Sequence, residues 1–111
     1  MSGEHVHDGA AAAGFGEVDP KLNIYALANG MDLVKLDATR ELEWYKDGRD
    51  RGIMVTLSEG GRLTVAATAI IDRRKEGSGL METVERDLTP SELAASFSEV
   101  LDRATTVANG L

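Results

Sequence analysis

The sequence predicts an α+β fold: a four-stranded antiparallel meander with a C-terminal amphipathic helix on one face and a short N-terminal helix or extra strand beside it. Three observations carry this. Residues 53–58 and 63–71 alternate apolar with small or polar side chains around Gly60-Gly61, the pattern of a β-hairpin. Thr89-Pro90-Ser91-Glu92 is a capping box that opens a run with Leu93, Phe97, Val100, Leu101, Ala104 and Val107 or Ala108 spaced by three and four. Short turns containing glycine link the strand-like segments, so sequential strands should pair antiparallel.

Residues 1–18 are rich in Gly, Ala, Glu, Asp and His, with Phe15 the single aromatic, a composition expected of a flexible tail before a domain spanning 19–111. Asp19-Pro20 suggests an N-cap and first helical position. A helix over 20–28 would end at Asn29-Gly30, although the same pair could form a type I′ turn between strands 24–28 and 31–36.

Residues 40–46 alternate as a half-exposed strand, with Leu42 and Trp44 on one side and Glu41, Glu43 and Tyr45 on the other. Asp47-Gly48 turns this strand into the hairpin. After the charged, glycine-rich segment 72–79, Leu80, Val84 and Leu88 recur at even spacing, interrupted by Glu82 and Arg86. Charges facing inward are the mark of an edge strand. The C-terminal helix should then cover the face that carries Trp44, Val55, Leu57, Val65, Ala67 and Val84, each large apolar side chain contributing ~1.5–3 kcal/mol on burial.

Composition narrows the function classes. The chain has 111 residues, 42% hydrophobic and 28% charged, as expected of one globular domain. No apolar run is long enough to span a membrane, and the N-terminal residues lack signal-peptide character, so a cytoplasmic location is expected. The absence of cysteine excludes disulfides and thiolate chemistry. A net charge of −7 opposes tight non-specific binding to nucleic acid.

No catalytic or cofactor motif stands out, and no cofactor, metal or catalytic residue is expected. His5 and His7, the only histidines, form a His-x-His pair with nothing nearby to complete a metal site. Gly60-Gly61 and Gly77-Ser78-Gly79 lie between strands and lack the lysine of a phosphate loop. Glu41 and Glu43, or Glu82 and Glu85, would act as an acid/base pair only if one carboxyl lay in an apolar pocket.

Two constellations remain. In a meander the turns near 47–50 and 73–78 share one end of the sheet. This gathers Lys46, Arg49, Arg51, Arg73, Arg74 and Lys75 into a candidate anion- or partner-binding end. Tyr45, Met54, Thr56, Ala66, Thr68, Ile70, Met81 and Thr83 share the sheet face opposite the helix, and are apolar or small where a solvated face would carry Lys and Glu.

The function expected from this second face is a non-enzymatic protein-binding or assembly module, homodimeric through the open face or bound to another protein, with no membrane partner. One alternative is a nucleic-acid-binding domain that uses the basic end. The outline is similar to single-strand-binding domains of the PUR type or, with an α-β-β-β-α count, to the YbaB nucleoid proteins. That likeness is one of architecture without a residue motif, and the acidic charge makes nucleic acid the weaker choice. The other alternative is a small-ligand carrier or enzyme with a pocket between helix and sheet, near Ala66, Ala67 and Ala69.

Overall fold

In a computed structural model, residues 14–71, 74 and 79–111 are described. They form an α+β domain in the order α1 (Asp19–Asn29), β1 (Asp32–Lys35), β2 (Thr39–Lys46), β3 (Arg49–Leu57), β4 (Leu63–Ile70), β5 (Gly79–Leu88), α2 (Pro90–Ala95) and α3 (Phe97–Gly110). The strands make one antiparallel meander, β1-β2-β3-β4-β5. The meander has five strands where four were expected, because residues 20–36 form both a helix and a strand. Gly30 adopts the left-handed conformation (φ 66°), closes α1 and releases the chain into β1, so Asn29-Gly30 is a helix stop and not a hairpin turn.

Turn chemistry sets the register. Asp47 and Gly48 both have positive φ, as a two-residue hairpin loop requires, and place Lys46 opposite Arg49. Between β3 and β4 only Gly61 of the glycine pair is left-handed. There Ser58 N–H donates to Arg62 O (2.8 Å) and Gly61 N–H to Ser58 O (3.0 Å). β1 and β5 are the edges, and β5 departs from regular pairing at Val65/Ala66 and Leu63/Val65. This irregularity places Glu85 across from Val65, with Val84 the extra residue between Thr83 and Glu85, and Glu85 reaches Arg103 of α3 at 2.8 Å.

All three helices lie on one face of the sheet. The core joins Leu42, Ile53, Val55, Leu63 and Val65 of the strands to Leu22 and Ala26 of α1, Leu93 of α2, and Phe97, Val100, Leu101 and Ala104 of α3. The expected single C-terminal helix is two helices. Ser96 leaves helical geometry (φ −114°, ψ 24°) and its hydroxyl donates to Glu92 O at 2.9 Å, a side-chain bond that competes with the helical ladder. The capping box forms in full: Glu92 N–H donates to Thr89 Oγ1 (3.1 Å) and Thr89 N–H to Glu92 Oε1 (2.8 Å). The Thr89 backbone bond, then its side chain, holds the Glu92 carboxyl below its ordinary range.

The boundary of the expected tail moves. Residues 14–18 belong to the domain, with Phe15 and Val18 both 0% exposed, while residues 1–13, including His5 and His7, lie outside the described residues. The cause is Arg40, whose guanidinium lies 4.0 Å over the Phe15 ring and grips both carboxylate oxygens of Asp19 (2.9 and 3.2 Å). Asp19 is thereby drawn away from the N-cap role, and Val18 takes that position without a side-chain cap. A low-complexity segment cannot announce such a contact, because the partner lies 25 residues further along the chain.

Phe15→Ala should destabilise the domain by ~3–5 kcal/mol, since it empties a fully enclosed aromatic site, and chemical denaturation measures the loss. A loss under ~1 kcal/mol would show that residues 14–18 are peripheral. Thr89→Ala should cost ~1 kcal/mol in the same assay through loss of the Oγ1 cap, whereas Glu92→Gln, which removes the charged partner of the Thr89 backbone N–H, should cost less below the carboxylate range than at neutral pH. The sign follows from Glu92: its lowered folded-state pKa adds stability above the ordinary carboxylate pKa that is lost as pH falls.

Candidate binding face of the sheet

Period-two alternation sends one set of strand side chains into the helical layer and the other to the opposite face, which no described element covers. Strand pairing brings the expected residues together in rows. Glu41, Met54, Ala66 and Thr83 are consecutive partners across β2–β5; so are Glu43, Gly52, Thr68 and Met81, and so are Tyr45, Asp50, Ile70 and Gly79. Thr56 lies opposite Thr39 at the far end. Tyr45 is 69% exposed, Met81 66% and Ile70 42%, whereas Ala66 is buried among its neighbours.

The middle of this face is hollow. Gly52 presents no side chain there, and a Cβ at that position would come within 2.7 Å of Thr68 Oγ1 and 3.1 Å of Leu42 O. The resulting trough has a volume of about 930 Å3 and runs from Asp32 on β1 to Leu80 and Met81 on β5. Four strand spacings make it ~19 Å across.

Its chemistry is two-sided. Asp32, Glu41 and Glu43 occupy the β1–β2 side, with Asp50 beside them, and Thr68, Ile70 and Met81 form the β4–β5 side. Partial burial raises the Glu43 carboxyl above its ordinary range, followed by its hydrogen bond with Glu41 and the charges of Glu41, Asp32 and Asp50. Glu41 and Glu43 thus interact, but on an open face and not in the apolar pocket that would separate an acid from a base. Among the described residues no group of three or more His, Asp or Glu is arranged to hold a metal ion.

The basic end is assembled differently from its sequence expectation. Arg51 is 5% exposed and its guanidinium passes to the helical side, donating to Lys46 O (2.9 Å) and Ala108 O (2.6 Å). Arg49 donates to Leu111 O, and Trp44 Nε1–H to Asn109 Oδ1 (2.9 Å). The two arginines satisfy backbone carbonyls at the end of α3, which lack helical partners and where the helix dipole is negative. Arg51 is therefore withdrawn from any anion site, a correction with a plain cause: β3 begins at Arg49, so Arg51 falls on the core-facing parity. Lys46 and Arg74 are exposed, and Arg73 and Lys75 lie outside the described residues.

A second groove of about 490 Å3 lies between α1 and the α2–α3 junction, beside exposed Ile24 and lined by Tyr25, Ala94 and Phe97. Tyr25 closes its floor, with its ring edge-on to Phe97 (6.0 Å) and its hydroxyl donating to Asp102 Oδ1 at 2.7 Å. Neither groove lies between helix and sheet, where the ligand-carrier alternative would place a pocket. In that layer Ala67, Ala69 and Ala104 are fully enclosed.

Glu43→Gln should raise the melting temperature at neutral pH and leave it unchanged near pH ~3. A raised folded-state pKa means the native state holds the proton more tightly. Stability therefore falls as pH rises through the window above the ordinary carboxylate pKa, and glutamine removes that loss. An equal change at both pH values would show that Glu43 acts through packing.

Among the described residues no helix is long and apolar enough to cross a membrane. No family model, curated protein or solved structure matches this chain.

Proposed function

We propose that this protein is a non-enzymatic protein-binding module that works through the open face of its sheet. One observation carries the reading: three helices are stacked on one face while the other presents Tyr45, Ile70 and Met81 to solvent around a trough floored by Gly52. Apolar side chains that contribute little to folding and surround a hollow are a surface available for association. Methionine suits this role because its flexible thioether adapts to irregular partners.

A second copy of the chain, the occupant expected from sequence, is one way to cover such a face. Nucleic acid fits it poorly, since the carboxylates of Asp32, Glu41 and Glu43 repel phosphate and Arg51 is engaged on the opposite side. A catalytic reading would require Glu41 and Glu43 in a water-excluded site, and they line an open trough.

The reading predicts that stability and association are separable at this face. Met81→Asp should shift the melting temperature by no more than a few degrees, because the side chain is largely exposed. A photo-crosslinking residue at Met81, introduced in the source cell, should yield a discrete protein adduct that Ile70→Lys removes. The same residue at Lys21, exposed on the helical side, should not. Crosslinks from position 21 alone, or adducts unaffected by Ile70→Lys, would overturn the assignment of the face.

A further inference from the structure

We propose that the open face receives a basic, amphipathic polypeptide segment of another protein rather than a second copy of this chain. The inference rests on the docking reading above and names its partner. It follows from how charge is divided across the trough: Asp32, Glu41 and Glu43 lie on one side, and Thr68, Ile70 and Met81 on the other. Among the described residues that line it, Arg51 is the one cation, and its guanidinium is spent on Lys46 O and Ala108 O behind the sheet.

A second copy would bring the same two halves. Face-to-face pairing about a two-fold axis along the strands sets each acidic side on the partner's apolar side, stripping water from carboxylates without supplying a counter-charge. An axis across the strands sets acidic side on acidic side, and like charges then oppose each other in a drying interface. Among the described residues that line the trough, neither arrangement brings Glu41 or Glu43 a cation other than the engaged Arg51.

A segment with apolar side chains along one edge and Lys or Arg along the other satisfies both halves together. Its apolar edge covers Ile70 and Met81, and its cations reach the Asp32–Glu41–Glu43 side with charge-assisted hydrogen bonds. The trough, ~19 Å across, accommodates ~13 residues of helix, the scale of a polypeptide segment. The net charge of −7 adds long-range attraction for such a partner.

Fluorescence anisotropy with a labelled synthetic helix of about 18 residues, Leu on one face and Lys on the other, tests this against the same peptide carrying Glu in place of Lys. The full chain should bind the Leu/Lys peptide saturably, with one peptide per protein, and the Leu/Glu peptide at least about tenfold more weakly. Glu41→Gln with Glu43→Gln should weaken Leu/Lys binding by about tenfold or more and steepen neither peptide's salt dependence. Glu59→Gln with Glu99→Gln removes the same net charge from exposed positions off the trough and should change the affinity less than about twofold.

Equal binding of both peptides, or equal losses in both charge variants, would overturn the basic partner while leaving the docking face standing. So would a wild-type mass of two chains by light scattering that Met81→Asp reduces to one. No binding of either peptide, together with no adduct from the Met81 crosslinker, would overturn both proposals.

Discussion

The register of the β3–β4 hairpin is the constraint on which the rest of the structure depends. Leu57 pairs with Leu63, Val55 with Val65 and Ile53 with Ala67, so one parity carries nearly all of the sheet's contribution to the core. A slip of one residue in either strand would exchange that set for Met54, Thr56, Ala66 and Thr68 and leave the helices nothing to bury. The turn that prevents the slip is small: Ser58 bonds Arg62 and Gly61, and Gly61 supplies the left-handed conformation. Once this pair is set, the same alternation continues outward to β1 and, as far as the irregularity beside Val65, into β5.

Two arginines on the core-facing parity turn this sheet into a closed layer. Arg40, at one end, ties Phe15 and Asp19 to the β1–β2 connection through Leu36 O (2.6 Å) and Thr39 O (3.2 Å). Arg51, at the other, holds the last turn of α3 against the β2–β3 hairpin. Both are buried, Arg40 with four acceptor atoms and Arg51 with two, and such hydrogen bonding is the condition under which a charge is tolerated inside a protein. Among the described residues no buried side-chain nitrogen or oxygen lacks a hydrogen-bond partner. The arrangement also decides electrostatics at a distance. Arg51, the one cation among the described residues that line the trough, is committed on the other side of the sheet, away from Glu41 and Glu43.

That uneven division gives the proposed function its physical basis. A sheet covered on both faces would bury its side chains in folding alone. Here one face contributes stability, and the other holds Met54, Ile70 and Met81 beside Glu43, whose proton affinity is raised by partial burial and then by the neighbouring carboxylates. The repulsion around Glu43 is tolerated because the helical layer supplies the stability, and a cation arriving at the face would relieve it.

By itself the sequence determined the α+β class, the central hairpin, the capping box at Thr89 and which residues of β2 to β4 and the first half of β5 share each sheet face, because these rest on local periodicity and turn chemistry. The eight residues assigned to the open face were legible for that reason: parity along a strand survives whatever the helices do. Only the tertiary structure decided the rest. Phe15 and Val18 join the core because Arg40 is in place to meet them, and a composition poor in apolar residues gives no sign of it. Arg51 caps a helix because strand β3 starts before the hydrophobic pattern does, and no spacing in the sequence reveals that α3 ends there. The acidic side of the trough is completed by Asp32, which meets Glu43 only through antiparallel pairing of β1 with β2. Local patterns choose faces and turns, and long-range contacts choose what each face meets.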